Sequence, residues 1–421
     1  MNNTFIIKYI KDTSKKYRHF VLIFFWFSLP LVGVTQATLP LSKALKLVEN
    51  TNLELQIEKR MVEYQNALVH TAYDIPATEF NANVGQINSQ LFDTEFSVNQ
   101  FFALPKVYKN GKKWLQKQVE IQKSDYAINY KNVQKLLEEF YVDYAYYSYI
   151  KQILLRQDSL LNLVSERTSL KVEKGETDRL EILAAQQQQT QNTLQINNVE
   201  RELHQLNLQI MRILQLDSGE RPEILPLENL NVENNISFPK IDQHPIVQKA
   251  QNELEAAKAA EMYQKSLMLP TFSLGYSNIS FNGASDEQKV FSAKDRFHIG
   301  QIGMQIPLYR SALLSKVKAI KMMEDIHSER VAMETKSLQS ASMIYLENRK
   351  NMMSSIDIFR SDQLTASEAA IQLIKQKYIA GDIDFMEFTI LSNNFINARK
   401  DYVELLRAFH LNEINLKYLQ K

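Results

Sequence analysis

Apolar residues recur along this chain with two different spacings. A spacing of three or four positions predicts helix, and a spacing of two predicts strand. Leu41, Leu45 and Val48, then Leu53, Ile57 and Val62, predict helix from Leu41 up to Pro76, with Asn50-Thr51-Asn52 as its weak point and Pro76 as its stop. Residues 77–87 and 94–104 then switch to period two. Phe80, Ala82 and Val84 alternate with Glu79, Asn81 and Asn83. Phe96, Val98, Phe102 and Leu104 alternate with Glu95, Ser97 and Asn99, and Phe101 breaks the pattern. Both stretches are close to the 9–11 residues of a strand that crosses a bilayer. A hairpin half-buried in a water-soluble domain shows the same alternation. Pro105 closes the second strand. From Val107 to Lys171 only Gly111 opposes helix, which predicts a rod roughly 90 Å long at about 1.5 Å per residue. Rods of this length pair as coiled coils. Gly175 breaks the run, and a second helix follows over residues 179–216.

The order then repeats. HPIVQKAQNELEAAKAAEMYQKSLMLP predicts helix ending at Pro270. Residues 271–281 and 297–306 predict strands around a polar loop, and Pro307 closes the second. Residues 308–378 predict another rod of roughly 100 Å. Gly381 breaks it, and a last helix ends near Leu419. Pro76 matches Pro270, Pro105 matches Pro307, and Gly175-x-x-Asp178-x-x-Glu181 matches Gly381-x-x-Asp384-x-x-Glu387. The expected organisation is therefore two tandem helix–strand–strand–helix repeats, 38–216 and 244–421. A linker, 217–243, holds Gly219, Pro222, Pro226 and Pro239. The expected fold class is mainly α with a small transmembrane β part.

Composition supports this reading. Only 10 Gly and 10 Pro interrupt 421 residues, so long elements are expected. There is no cysteine, which removes disulfides, thiolate metal sites and a lipidated cysteine. Residues 1–37 read as a secretory signal. Lys8, Lys11, Lys15, Lys16 and Arg18 precede the apolar run FVLIFFWFSLPLVGV, and Thr35-Gln36-Ala37 offers a small-x-small cleavage site. That run is shorter than the roughly 20 residues a spanning helix needs. Removal of the segment takes away five basic residues and Asp12, moving the formal charge from +1 to −3. A near-neutral chain gives no reason to invoke nucleic acid. No later stretch is apolar and long enough to span as a helix, so any membrane passage falls to the strands.

Four strands cannot close a barrel within one chain. An open sheet edge in lipid leaves unpaired N–H and C=O groups at several kcal/mol each. Either these strands lie outside a membrane or several chains pool them. Three chains would supply twelve strands above twelve long helices, although edge satisfaction alone does not fix the number of chains. Two tandem copies of helix–Pro–strand–strand–Pro–long helix resemble the TolC family of outer-membrane efflux channels. The marks are HPIVQKAQNELEAAKAAEMYQKSLMLPTFSLGYS, Met304-Gln-Ile-Pro-Leu-Tyr309 and AGDIDFMEFTILSNNFINARKDYVELLRA. In the first half, IPATEFNANVGQINSQLFDTEFSVNQFFALPKVYKNGKK is similar to the heavy-metal cation efflux branch. The resemblance spans the chain after the signal. It implies a homotrimer in outer-membrane lipid, with a 12-stranded β-barrel continued by a 12-helix α-barrel into the periplasm. It further implies a periplasmic adaptor, an inner-membrane pump of the resistance-nodulation-division or ABC type, no cofactor and no catalysis.

The same resemblance gives Glu181 and Glu387 a role. The family narrows its tunnel at the periplasmic tip with acidic side chains about six residues after this glycine. Three chains would bring six such carboxylates into a ring that favours cations. Better-known members carry a second acid three residues on, where this chain has Ala184 and Ile390. A local reading stands beside it. Asp178 and Asp384 fit helix N-caps with Glu181 and Glu387 at N3, after turns permitted by Gly175 and Gly381. The two readings are compatible.

Other residues point to packing. None of the histidines outside the signal (His70, His204, His244, His298, His327, His410) has a ligand partner at helical spacing, so no metal motif is expected. Met322, Met323, Met333, Met343, Met352 and Met353 read as flexible packing rather than soft-metal ligands. FYVDYAYYSYI, residues 140–150, offers either helix packing or an adaptor-docking surface. Gln186 to Gln189 reads as a water-facing helix surface. A periplasmic adaptor and a purely structural coiled coil are the competing functions. The duplicated Pro-bounded strand pairs weigh against both.

Overall fold

The computed structural model of the chain describes residues 38–88, 90–175, 178–217, 220–229, 241–284 and 290–420. The expected signal segment, together with Gly219 and Pro239 of the expected linker, lies outside them. The chain is mostly helical with a small β part. A short strand β1 (Thr38–Leu39) leads into α1 (Leu41–Thr51) and α2 (Leu53–Val69). Strands β2 (Glu79–Gly85) and β3 (Asp93–Ala103) precede α3 (Pro105–Glu173) and α4 (Arg179–Leu214). After β4 (Arg221–Pro222) come α5 (Pro245–Ser266), β5 (Thr271–Ser280), β6 (Gly283–Ala284), β7 (Val290–Phe291) and β8 (Arg296–Gln305). The chain ends with α6 (Ser311–Ile358), α7 (Leu364–Ala380) and α8 (Phe385–Gln420).

The prolines sit where the chain changes state. Pro105 is at the start of α3, where a missing N–H costs nothing. Pro270 immediately precedes β5, and Pro307 separates β8 from α6. Pro76 is less direct: α2 already ends at Val69, and a 3₁₀ turn, His70–Tyr73, carries the chain towards the proline. The weak point at Asn52 is a true break. Its side-chain oxygen accepts the Leu55 N–H (3.1 Å), and its amide donates to the Ile213 carbonyl at the end of α4 (3.0 Å). Gly111 does not weaken α3. A Cβ there would come within 3.1 Å of the Tyr263 ring, so the glycine lets α3 and α5 approach closely.

Helix α3 is the spine, 69 residues and roughly 100 Å long. Along its first half the helices lie in the order α2–α3–α5–α6. Along its second half the order is α4–α3–α8–α7. The seams carry buried amides as well as apolar side chains. Asn110 donates to the Met262 carbonyl (3.1 Å), Asn192 to the Leu154 carbonyl (3.2 Å) and Asn412 to the Tyr345 carbonyl (3.0 Å). The aromatic run on α3 packs between helices: Tyr141 and Tyr144 are buried, and the Tyr141 hydroxyl donates to the Leu39 carbonyl (2.9 Å).

Beyond the first half of this helical layer lies one antiparallel sheet in the order β2–β3–β5–β8. Its register places Phe80, Val98, Tyr276 and Gly300 across one row, and Phe102, Phe272 and Met304 across another. These residues share a face whose apolar side chains are largely open, with Phe80 76% and Ile302 86% exposed. The opposite face carries Asn81, Asn83, Glu95, Ser97, Asn99, Ser273 and Gln301, with Phe101, Phe297 and Ile299 among them. The outer edges of β2 and β8 have no strand partner among the described residues.

Three features differ from the sequence expectation. The linker is partly structured, since β4 pairs in parallel with β1 and Glu223 N–H donates to the Leu39 carbonyl (3.1 Å). The segment before β8 holds the short antiparallel pair β6–β7, near which Phe281, Phe291 and Phe297 meet edge to face. The second rod is not one continuous helix. A π turn, Phe359–Gln363, separates α6 from α7, where Arg360 reaches the Glu228 carbonyl (2.7 Å) and Phe359 packs on Tyr402.

Two histidines tie α8 to the start of α5 and to the linker. His244 accepts the Ile246 N–H at Nδ1 (3.3 Å), so its Nε2–H donates to the Tyr418 carbonyl (3.2 Å). His410 Nε2–H donates to the Leu227 carbonyl (2.9 Å). Burial lowers both pKa values, against the raising effect of those carbonyls. A histidine with a lowered folded pKa contributes stability that is complete above its unfolded value, near 6.5, and declines as pH falls below it. Acidification from about pH 7.5 to 5 should therefore speed proteolytic cutting of the linker, and His410→Gln should flatten that dependence, as read by a time course at each pH.

Candidate functional site

The two glycine turns lie together at the end of the helical body opposite the sheet. Helix α7 ends at Ala380 and Gly381 takes φ +85°, a left-handed conformation that side chains disfavour. Gly381 N–H then donates to the Tyr378 carbonyl (3.2 Å) and Asp382 N–H to the Lys377 carbonyl (2.9 Å), which closes the helix end. Gly175 has φ +74° and donates to the Val172 carbonyl (3.0 Å).

The helix starts that follow are not equivalent. Asp384 Oδ1 accepts the Glu387 N–H at 2.7 Å, a side-chain cap on α8. Asp178 has the extended backbone of a cap residue, but its carboxylate accepts no capping bond. The reason is local: the Glu181 N–H that it would cap already donates to the Asp178 carbonyl (3.1 Å). The expected cap is thus made by the main chain in the first half and by the side chain in the second.

The two turns rest on a small core of Val164, Ala185, Ile374, Tyr378, Phe385 and Phe388. Thr168 Oγ1 donates to the Val164 carbonyl (2.9 Å), so the Tyr378 hydroxyl donates to Thr168 (2.7 Å) and ties α7 to α3. Lys171 Nζ lies 4.9 Å from the centre of the Tyr378 ring. Burial raises the Tyr378 pKa and the Glu181 charge adds to it, so this phenol stays neutral.

Glu181 and Glu387, about 200 residues apart in sequence, line one cleft of about 660 Å³. Asp382 and Asp384 add two more carboxylates, and Arg167, Lys171 and Lys174 face them. Glu387 is exposed and Glu181 half-buried. Within one chain the cleft is therefore mixed in charge. The sequence reading missed Tyr378, Thr168 and these basic residues. The local signal was the apolar pair Phe385 and Phe388 in the first turn of α8, which pack with Ile374 and Tyr378 of α7. Of the two positions where a second acid was considered, Ala184 packs against the tip core, whereas Ile390 is 56% exposed. Among the described residues, no group of three or more His, Cys, Asp or Glu is placed to hold a metal ion. No helix among them is long and apolar enough to cross a membrane.

Solved structures share this architecture. The outer-membrane channel OprN matches with TM-score 0.77 at 13% identity, over 90% of this chain and 89% of that one. CusC, whose structures were described in terms of transmembrane channel formation, matches with TM-score 0.74 at 14% identity, over 90% of this chain and 91% of that one. The CmeC outer membrane channel of Campylobacter jejuni matches with TM-score 0.75 at 12% identity, over 90% and 85%. This chain has the fold of these outer-membrane channels. No protein-family model and no curated protein matches its sequence. The likeness thus lies in the fold, with few identical residues to carry it.

The unequal caps predict unequal mutants. Asp384→Ala should cost the start of α8 about 1 kcal/mol, speeding hydrogen exchange of the Glu387 amide roughly fivefold. Asp178→Ala should leave the Glu181 amide within about twofold of its original rate.

Proposed function

We propose that the chain is one subunit of a trimeric, passive exit duct that crosses the outer membrane and continues through the periplasm. The observation that carries this reading is the sheet: four strands, two free edges and one open apolar face. In lipid the edges need partners, and a second copy of the same sheet supplies them. The helices support a head-to-tail arrangement. At one free side of the layer, α2 exposes Leu53, Ile57, Met61 and Tyr64 at helical spacing. At the other, α6 exposes Met322, Ile326 and Met333. Three chains give twelve strands, within the range of closed barrels, and twelve helices in each half of the body beneath.

On this reading each chain is a tandem duplication, the polar sheet face lines water, and the glycine turns form the periplasmic aperture with Glu181 and Glu387. The duct performs no chemistry. It accepts substrate from an inner-membrane pump, of the resistance-nodulation-division or ABC type, through a periplasmic adaptor. Heavy-metal cations are the substrate class suggested by the first-half similarity. An adaptor or a structural coiled coil would leave the apolar sheet face without a partner.

Two measurements test the proposal. Native mass of the detergent-extracted protein should give three chains per particle, and a monomer would contradict the barrel. In planar bilayers Glu181→Ala combined with Glu387→Ala should raise conductance or weaken cation preference. Unchanged values in both would remove the two glutamates from the aperture.

A further inference from the structure

The ends of the sheet open into an uncompensated basic collar. In the first turns of α3, Lys106, Lys109, Lys112, Lys113 and Lys117 occur with no acidic residue between Pro105 and Val119. Where β8 leads into α6, Arg310, Lys316, Lys318 and Lys321 occur with no acidic residue between Pro307 and Met323. None of these nine cations makes an ion pair among the described residues. The basic residues of neighbouring α5 differ, because Lys258 and Lys265 are paired with Glu255 (3.1 Å) and Glu261 (3.0 Å). The carboxylates nearest in sequence to the entry of β2, Glu63, Asp74 and Glu79, are too few to balance nine charges.

Position gives the charge its meaning. The apolar sheet face ends at Phe102, Phe272 and Met304, and the cations begin within a few residues of that line. Aromatic residues mark the same level. Tyr73 stacks on Tyr108 (6.1 Å) with Lys112 over the Tyr73 ring, Trp114 stacks on Tyr263 (5.8 Å), and Tyr309 is 96% exposed. Apolar strands followed by one level at which tyrosine, tryptophan and unpaired lysine are interleaved is the change from hydrocarbon to an anionic interface.

We propose that this collar binds the phosphate headgroups of anionic phospholipids in the periplasm-facing leaflet. The inference rests on the outer-membrane duct reading above. Its test is the thermal dissociation of the purified trimer in lipid-free detergent, in anionic phospholipid mixed micelles, in zwitterionic mixed micelles and with inorganic phosphate alone. Anionic lipid should raise the midpoint more than zwitterionic lipid. Replacing Lys106, Lys109, Lys113, Lys316 and Lys318 with Gln should remove roughly half or more of that difference, and replacing the same five with Arg should keep it. Equal responses to the two lipids, or an undiminished preference in the Gln variant, would overturn the proposal. An equal response to inorganic phosphate would overturn it too, by assigning the charges to soluble anions in the duct. A monomer in the lipid-free sample would refute the duct itself, a result separate from any lipid preference.

Discussion

The edge of a β-sheet must find hydrogen-bond partners, and on the proposed duct reading the rest of this structure follows from that constraint. The sheet satisfies its inner strands through β2–β3–β5–β8 pairing and leaves two edges open. Among the described residues no strand pairs with either of them. The helical layer has the same construction, with α2 and α6 at its free sides and apolar residues exposed on both. Sheet and helices are thus open on the same two sides, so on the proposed reading assembly is a condition of the fold rather than an addition to it.

Much of this was legible in the sequence because the signals are long and locally determined. Period-two alternation of Phe80, Ala82 and Val84 against Asn81 and Asn83 placed a strand within two residues of its observed limits. Proline and glycine marked the changes of state. What was not legible depends on distant partners. The π turn at residues 359–363 lies in a run with good helical periodicity, and Arg360 meets Glu228 and Tyr402 only in the folded chain. The β1–β4 pairing joins segments about 180 residues apart, through a stretch whose prolines read as linker.

The candidate aperture shows the same division. The glycine register placed Glu181 and Glu387 at equivalent turns, and the fold brings them into one cleft. Sequence spacing could not show that Lys171 and Tyr378 stand beside them, since those contacts cross from α3 to α7. It also treated Asp178 and Asp384 alike. The difference between them arises from which oxygen the N3 amide meets first, a matter of one peptide's orientation.

That difference bears on symmetry. A ring built from three chains, each contributing two glycine turns, has six turns of similar outline. On the proposed trimer only the turns that begin α8 carry a side-chain cap, so capped and uncapped helix starts alternate around the ring. Such a rim keeps true threefold order and only approximate sixfold order. In that trimer a docking protein with identical fingertips would meet two kinds of socket.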